Sequence, residues 1–181
     1  MKVYLFLAEG FETVEALAPV DTFTRAGVEI CTISISNSLT VTSSHHVETK
    51  ADCLLKDIDL NDGDALILPG GFPGYKNLVE SESVGAAAKK YYETCRLLGA
   101  ICGAPTILQY YGIARGSRIT CHHSVKEQMT DFIYTGKDVE RDGNLITAIG
   151  AGHAFDFSLA LLEVLEGKEK VAKVKLGLEL K

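Results

Sequence analysis

Gly99-Ala-Ile-Cys102-Gly-Ala-Pro105 sets a cysteine between an apolar run and a helical pattern, with small residues on both sides. A thiol at such a corner is the sulfur counterpart of the nucleophile elbow, where a tight strand-to-helix turn lifts a side chain above a sheet. Gly99 and Gly103, with Ala100 and Ala104, let the backbone turn sharply there. A helix starting just beyond the turn would bring partial positive charge and free N–H groups to the sulfur. That predicts a thiol pKa well below about 8.5. A buried core thiol is the competing reading, since cysteine often serves as a small hydrophobe; the small residues around the corner favour the nucleophile.

Three further features could serve this thiol. Leu68-Pro-Gly-Gly71 ends another apolar run, so the N–H groups of Gly71 and Gly103 form a natural pair of oxyanion donors. A plain turn would also explain the two glycines. Glu15 is the only charged residue from Thr13 to Val20. Buried, it would hold a proton near neutral pH and exchange it with a sulfur; exposed, it would merely favour the helix dipole. His122 and His123 follow a short apolar run ending at Cys121, where an imidazole could orient or protonate a thiol, or simply sit in a solvated loop. Cys121, His122 and His123 are adjacent and cannot easily ligate one ion together, so no metal site is expected.

The elements that must position these residues follow from periodicity. Val3–Ala8, Val28–Ile35, Ala65–Leu68, Leu97–Ile101, Ile119–Cys121 and Asn144–Ile149 are apolar runs of strand length. Helical patterns occupy 13–26 (Thr13 as N-cap, Gly27 as stop, Pro19 inside), 83–95, 104–111 closed by Gly112, a polar stretch at 124–132, and 153–165 before Gly167. Residues 39–52 alternate as a short hairpin would. The β–α repetition implies an α/β fold with a parallel sheet and helices on both faces, and active groups beyond the carboxyl ends of the strands.

The chain has 181 residues, 46% of them apolar and 23% charged, with a net charge of −6. Those values fit a single domain over residues 1–181 and exclude nucleic acid or an anionic membrane as the main partner. No run approaches the roughly 18 apolar residues of a membrane span, and Glu9 ends the N-terminal run too early for a signal peptide. Five cysteines without a C-x-x-C pair point to free thiols in a reducing cytoplasm.

Taken together, Gly10–Asp21, Leu68–Gly71, Ala100–Thr106 and Thr147–Leu162 resemble the ThiJ/PfpI superfamily, and specifically its DJ-one branch, in the same order along nearly the whole chain. The resemblance implies a flavodoxin-like sandwich that forms a homodimer, a reactive Cys102, a protonated partner at Glu15, oxyanion donors at Gly71 and Gly103, and a nearby histidine at His122. Three positions depart from it. Ile149 and His45 stand where the human-like pattern has arginines, and Cys121 where a threonine or serine is expected.

Members of the branch are described as cofactor-free glyoxalases, as deglycases acting on methylglyoxal-modified thiols and amines, and as oxidative-stress sensors. The expected function is therefore a cofactor-free, cysteine-dependent enzyme acting on 2-oxoaldehydes or their adducts. The alternative is a redox sensor or chaperone working through oxidation of Cys102. A PfpI-type peptidase would need histidine directly after Cys102, where Gly103 stands, and an amidotransferase would need a His-x-Glu downstream of Cys102, where none occurs.

Overall fold

Alternation along the first strand sets up the whole architecture. In β1 (Lys2–Leu7) every residue from Val3 on is buried. Val3, Leu5 and Leu7 enter one apolar cluster and Tyr4 and Phe6 another, because successive side chains of a strand point to opposite faces. A strand buried on both faces belongs in the middle of a sheet covered on both sides.

The computed structural model describes residues 1–180. In chain order its elements are β1, α1 (Thr13–Arg25), β2 (Glu29–Ser34), β3 (Thr40–Thr42), β4 (Glu48–Lys50), β5 (Cys53–Leu54), β6 (Ala65–Leu68), α2 (Gly74–Glu80), α3 (Glu82–Glu93), β7 (Leu97–Ile101), α4 (Thr106–Tyr111), β8 (Arg118–Ile119), β9 (Ile133–Tyr134), β10 (Val139–Asp142), β11 (Leu145–Ala148), α5 (Ala154–Glu166) and α6 (Lys168–Gly177). Seven strands form the central sheet in the order β10-β11-β7-β6-β1-β2-β5, all parallel to their neighbours except β10. Helices α1, α5 and α6 cover one face, sharing a core of Phe23, Phe157, Leu161 and Val174. Helices α3 and α4 cover the other, with Val84, Tyr91, Ile107 and Leu108. This is the flavodoxin-like α/β fold expected of the sequence. Among the described residues no helix is long and apolar enough to cross a membrane.

Several local expectations are corrected. The cap of α1 is Glu12, whose carboxylate accepts the Glu15 N–H at 2.8 Å, while the Thr13 hydroxyl is engaged with Ser43. Helix α4 starts at 106, because residues 102–105 are consumed by the turn. Cys121 lies beyond the short strand β8, which pairs with β9 outside the main sheet. The 124–132 helix is a 3-10 turn over His123–Gln128. Five elements were not anticipated: the two-residue strands β5 and β9; α2, which starts at Gly74 behind Pro73 and so looks like a turn; α6, rich in lysine; and the charged edge strand β10.

Candidate active site

The corner at Cys102 is a strained conformation held from two sides. Its φ is 64°, in the left-handed region that non-glycine residues avoid. Such a residue costs about 1–3 kcal/mol and persists only where its surroundings impose it. Here the Cys102 N–H donates to the Ala148 carbonyl at the end of β11, and the Cys102 carbonyl accepts the His122 N–H, both at 2.9 Å. The ends of two strands and the loop after β8 thus converge on one residue.

Glu15 reaches the sulfur across Gly70. A Cβ added at Gly70 would lie 2.7 Å from the Cys102 Cβ and 2.8 Å from Glu15 Oε2, so only glycine lets the two side chains meet there. The Gly70 N–H donates to Oε2 at 2.8 Å, while Oε1 has no hydrogen-bond partner. The side chain is completely buried. Burial pushes its carboxyl up to about 7, against the lowering effect of the Gly70 N–H and the Cys102 thiol. The buried reading of Glu15 therefore holds over the exposed one.

The thiol itself departs from expectation. Burial pushes Cys102 up to about 12, with the Glu15 carboxylate adding to the rise, and the N–H groups of Gly71 and Gly103 pull it down. The anticipated helix dipole is too weak: α4 has six residues and begins four positions after the cysteine. Near neutral pH the pair carries at most one negative charge, with one proton to place on either oxygen or sulfur. The Gly71 and Gly103 N–H groups that face the sulfur are the donors anticipated for an oxyanion. Gly71, at φ +90°, admits no Cβ, which would fall 2.2 Å from the Glu12 nitrogen.

His122 lines a cavity of about 390 Å³ with His153, Ile149 and Gly150. The edge of its ring and Glu15 Oε1 both border Gly150, 3.7 and 3.9 Å from where a Cβ would stand. Nδ1 accepts the Ser124 N–H at 3.3 Å and contacts the Ser124 hydroxyl at 2.8 Å. Burial and the adjacent His123 lower its pKa, so the ring is neutral with its proton on Nε2. Among the described residues no three His, Cys, Asp or Glu side chains cluster to hold a metal ion.

The sequence profile of the DJ-1/PfpI family matches residues 1–164. The chain belongs to the DJ-1/PfpI family. It is 36% identical to the Parkinson disease protein 7 homolog of Danio rerio, over 99% of this chain and 97% of that protein. It is 35% identical to the glutathione-independent glyoxalase DJR-1.2 of Caenorhabditis elegans, over 90% of this chain and 87% of that protein. The crystal structure of Drosophila melanogaster DJ-1beta superposes with a TM-score of 0.96 at 35% identity, covering 99% of this chain and 98% of that one.

Within this DJ-1/PfpI fold the sequence reading missed two contributors. The sequence shows Gly70 only as part of a turn, although its N–H fixes the Glu15 carboxyl and its missing Cβ makes room for it. Glu12 was not recognised as the cap that orients α1 and, through it, Glu15; its other oxygen lies 3.7 Å from His45 Nδ1, so His45 borders the site through Glu12. Glutamate is not among the favoured N-cap residues, so the sequence carries no cap signal at Glu12.

Proposed function

We propose that this protein is a cofactor-free glyoxalase of the DJ-1/PfpI family, acting on 2-oxoaldehydes such as methylglyoxal or on their adducts with thiols and amines. The observation that carries the reading is Glu15: a buried carboxyl pushed to about 7, with one oxygen unpartnered, beside a thiol that burial keeps protonated. A general acid–base works best with a pKa near the working pH. The similarity to a protein named as a glutathione-independent glyoxalase supports the substrate class.

In the proposed reaction the Cys102 sulfur attacks the aldehyde carbon as Glu15 takes the thiol proton. The Gly71 and Gly103 N–H groups stabilise the oxygen that becomes negative. Glu15 returns that proton to the oxygen, giving a hemithioacetal. It then removes the proton on the former aldehyde carbon and delivers it to the adjacent carbon, while the neutral His122 gives its proton to the neighbouring oxygen and takes one back from the hydroxyl on the former aldehyde carbon, which becomes the thioester carbonyl. The result is a thioester of a 2-hydroxy acid. Water hydrolyses it, releasing the acid and restoring the thiol. Exposed Val14 and Leu17 on α1 support a homodimer through that helix, to be measured by sedimentation equilibrium.

A second reading, a non-catalytic oxidation sensor, draws on the same unpartnered Glu15 oxygen, which could hydrogen-bond an oxidised sulfur. Incubation of the purified protein with methylglyoxal, without glutathione, separates the two. Lactate formation that Cys102→Ser abolishes supports the enzyme. No lactate from the wild-type protein overturns it and leaves the sensor.

A further inference from the structure

Away from the corner, two of the remaining thiols meet at the open edge of the sheet. Cys31 on β2 and Cys53 on β5 have their sulfurs 3.6 Å apart. Strand β5 is two residues long, forms the sheet edge, and pairs only with β2, with Ile33 opposite Cys53. Cys31 lies two residues before Ile33, so both cysteines project to the same face. They pack there against the core that holds Tyr4 and Ile33, under the α3 and α4 side of the sheet. Cys102 packs against the other core.

We propose that Cys31 and Cys53 form a reversible intrachain disulfide when the protein meets a hydroperoxide, a redox site separate from Cys102. A disulfide requires about 2.05 Å between sulfurs, so the pair must close by about 1.5 Å. A two-residue edge strand can supply that shift. The strands are already clamped beside the pair: Asp52 accepts the Thr32 N–H and hydroxyl at 2.8 and 2.7 Å, and its own N–H donates to the Thr32 carbonyl at 2.9 Å.

The order of events follows from the surroundings. Burial, then the Cys53 thiol and the Asp52 carboxylate, push the Cys31 thiol up to about 12. Cys53, on the two-residue strand at the open edge of the sheet, takes the first step. Its sulfur attacks one peroxide oxygen and the O–O bond breaks, giving a sulfenic acid and one water. The Cys31 sulfur then attacks the Cys53 sulfur; the S–S bond forms, the S–O bond breaks, and the departing hydroxide leaves with the Cys31 proton as a second water. Two thiols lose two electrons and two protons, and one hydrogen peroxide becomes two waters.

The bridge would close the root of the β3–β4 hairpin. The hairpin's other end is tied to the start of α1, through Gly10 N–H to the Thr42 carbonyl, Ser44 N–H to the Phe11 carbonyl, and the Thr13 and Ser43 hydroxyls, each at 2.8 Å. Oxidation at the sheet edge thus fixes the segment that leads into Glu15.

The test is peroxide treatment of the full-length protein, alkylation of remaining thiols, and tryptic mapping without reduction. The expected product joins peptide 26–50 to peptide 51–56, lighter than the two thiol peptides by about 2 Da, and disappears on reduction. In Cys31→Ser, dimedone should trap a sulfenic acid at Cys53 that it does not trap in the wild type. Full alkylation of both cysteines in a sample whose Cys102 is already oxidised would overturn the proposal. So would separate sulfinates at the two positions, or a bridge to Cys95.

Discussion

Cys102 and Cys31 are pushed by burial to the same level, about 12, yet they sit in opposite chemical company. Beside Cys102 stand a carboxyl near 7 and two backbone N–H donors, groups that can take a proton and hold a negative oxygen. Beside Cys31 stands a second sulfur and no proton acceptor that burial has tuned. A raised thiol pKa therefore does not mark function in this molecule. The neighbour does: an acid–base partner suits carbonyl chemistry, and another thiol suits two-electron oxidation. The backbone repeats the contrast. Cys102 is held in a left-handed conformation by hydrogen bonds from two elements, whereas Cys53 sits on a two-residue edge strand that pairs with one neighbour alone.

The largest effect should come from removing the acid–base partner. Glu15→Gln keeps an acceptor for the Gly70 N–H but cannot move a proton, so lactate formation from methylglyoxal should fall by about 10²–10⁴. Stability should move the other way. The folded carboxyl keeps its proton up to about 7, whereas the unfolded one loses it near 4.5. The folded state thus binds more protons between those values; the stability this contributes is fully present below about 4.5 and is lost as pH rises through 7. That loss is about 3 kcal/mol. Urea unfolding should find Glu15→Gln more stable than wild type at pH 8, by up to that amount, with the advantage gone near pH 4. Equal stability at pH 8 would mean that the carboxyl is not buried in its charged form.

A smaller effect distinguishes the two thiols by rate. If Cys102 and Glu15 share one proton, iodoacetamide labelling of Cys102 should rise with pH around a midpoint near 7, the value of the pair. Cys31 should label only at far higher pH. In Glu15→Gln the Cys102 midpoint should shift upward, because the sulfur must then ionise without a partner. Peptide mapping of the label against pH reads all three curves. A Cys102 midpoint unmoved by the substitution would break the contrast between the two sites.

How much of this was legible beforehand depended on whether the cause was local. Val3–Ala8 reads as a strand because burial on both faces leaves no polar position, and Cys102 reads as a corner because the small residues are its immediate neighbours. Leu68-Pro-Gly-Gly71 was legible as a turn, but the closeness of Gly70 to both Glu15 and Cys102 comes from packing β6 beside β7 and α1 above them. The direction of the thiol shift was misjudged for the same reason: the helix was local and visible, while the depth of burial and the carboxyl were not. Cys31 and Cys53 share no short motif, being 22 residues apart, and only the pairing of β2 with β5 brings them together.

Cys121 should give the smallest effect, and it tests whether proximity along the chain to the site matters at all. It immediately precedes His122, and the sequence leaves open that it resolves an oxidised Cys102. Cys121 is fully buried and belongs to the same core as Ile119, Val125 and Met129 on the α3–α4 side, although it also borders the His122 cavity, while Cys102 packs against the α1–α5 core. Burial also pushes its thiol up to about 11. A thiol kept protonated and turned into a different core is a poor nucleophile toward Cys102. Cys121→Ala should therefore cost about 1 kcal/mol of stability, as the loss of one buried heavy atom does, and leave lactate formation unchanged. After peroxide, Cys121 should be recovered as a free thiol while Cys102 and the Cys31–Cys53 pair are oxidised. A Cys102–Cys121 bridge in the unreduced map would show instead that the loop after β8 turns over, carrying the sulfur from one core to the other.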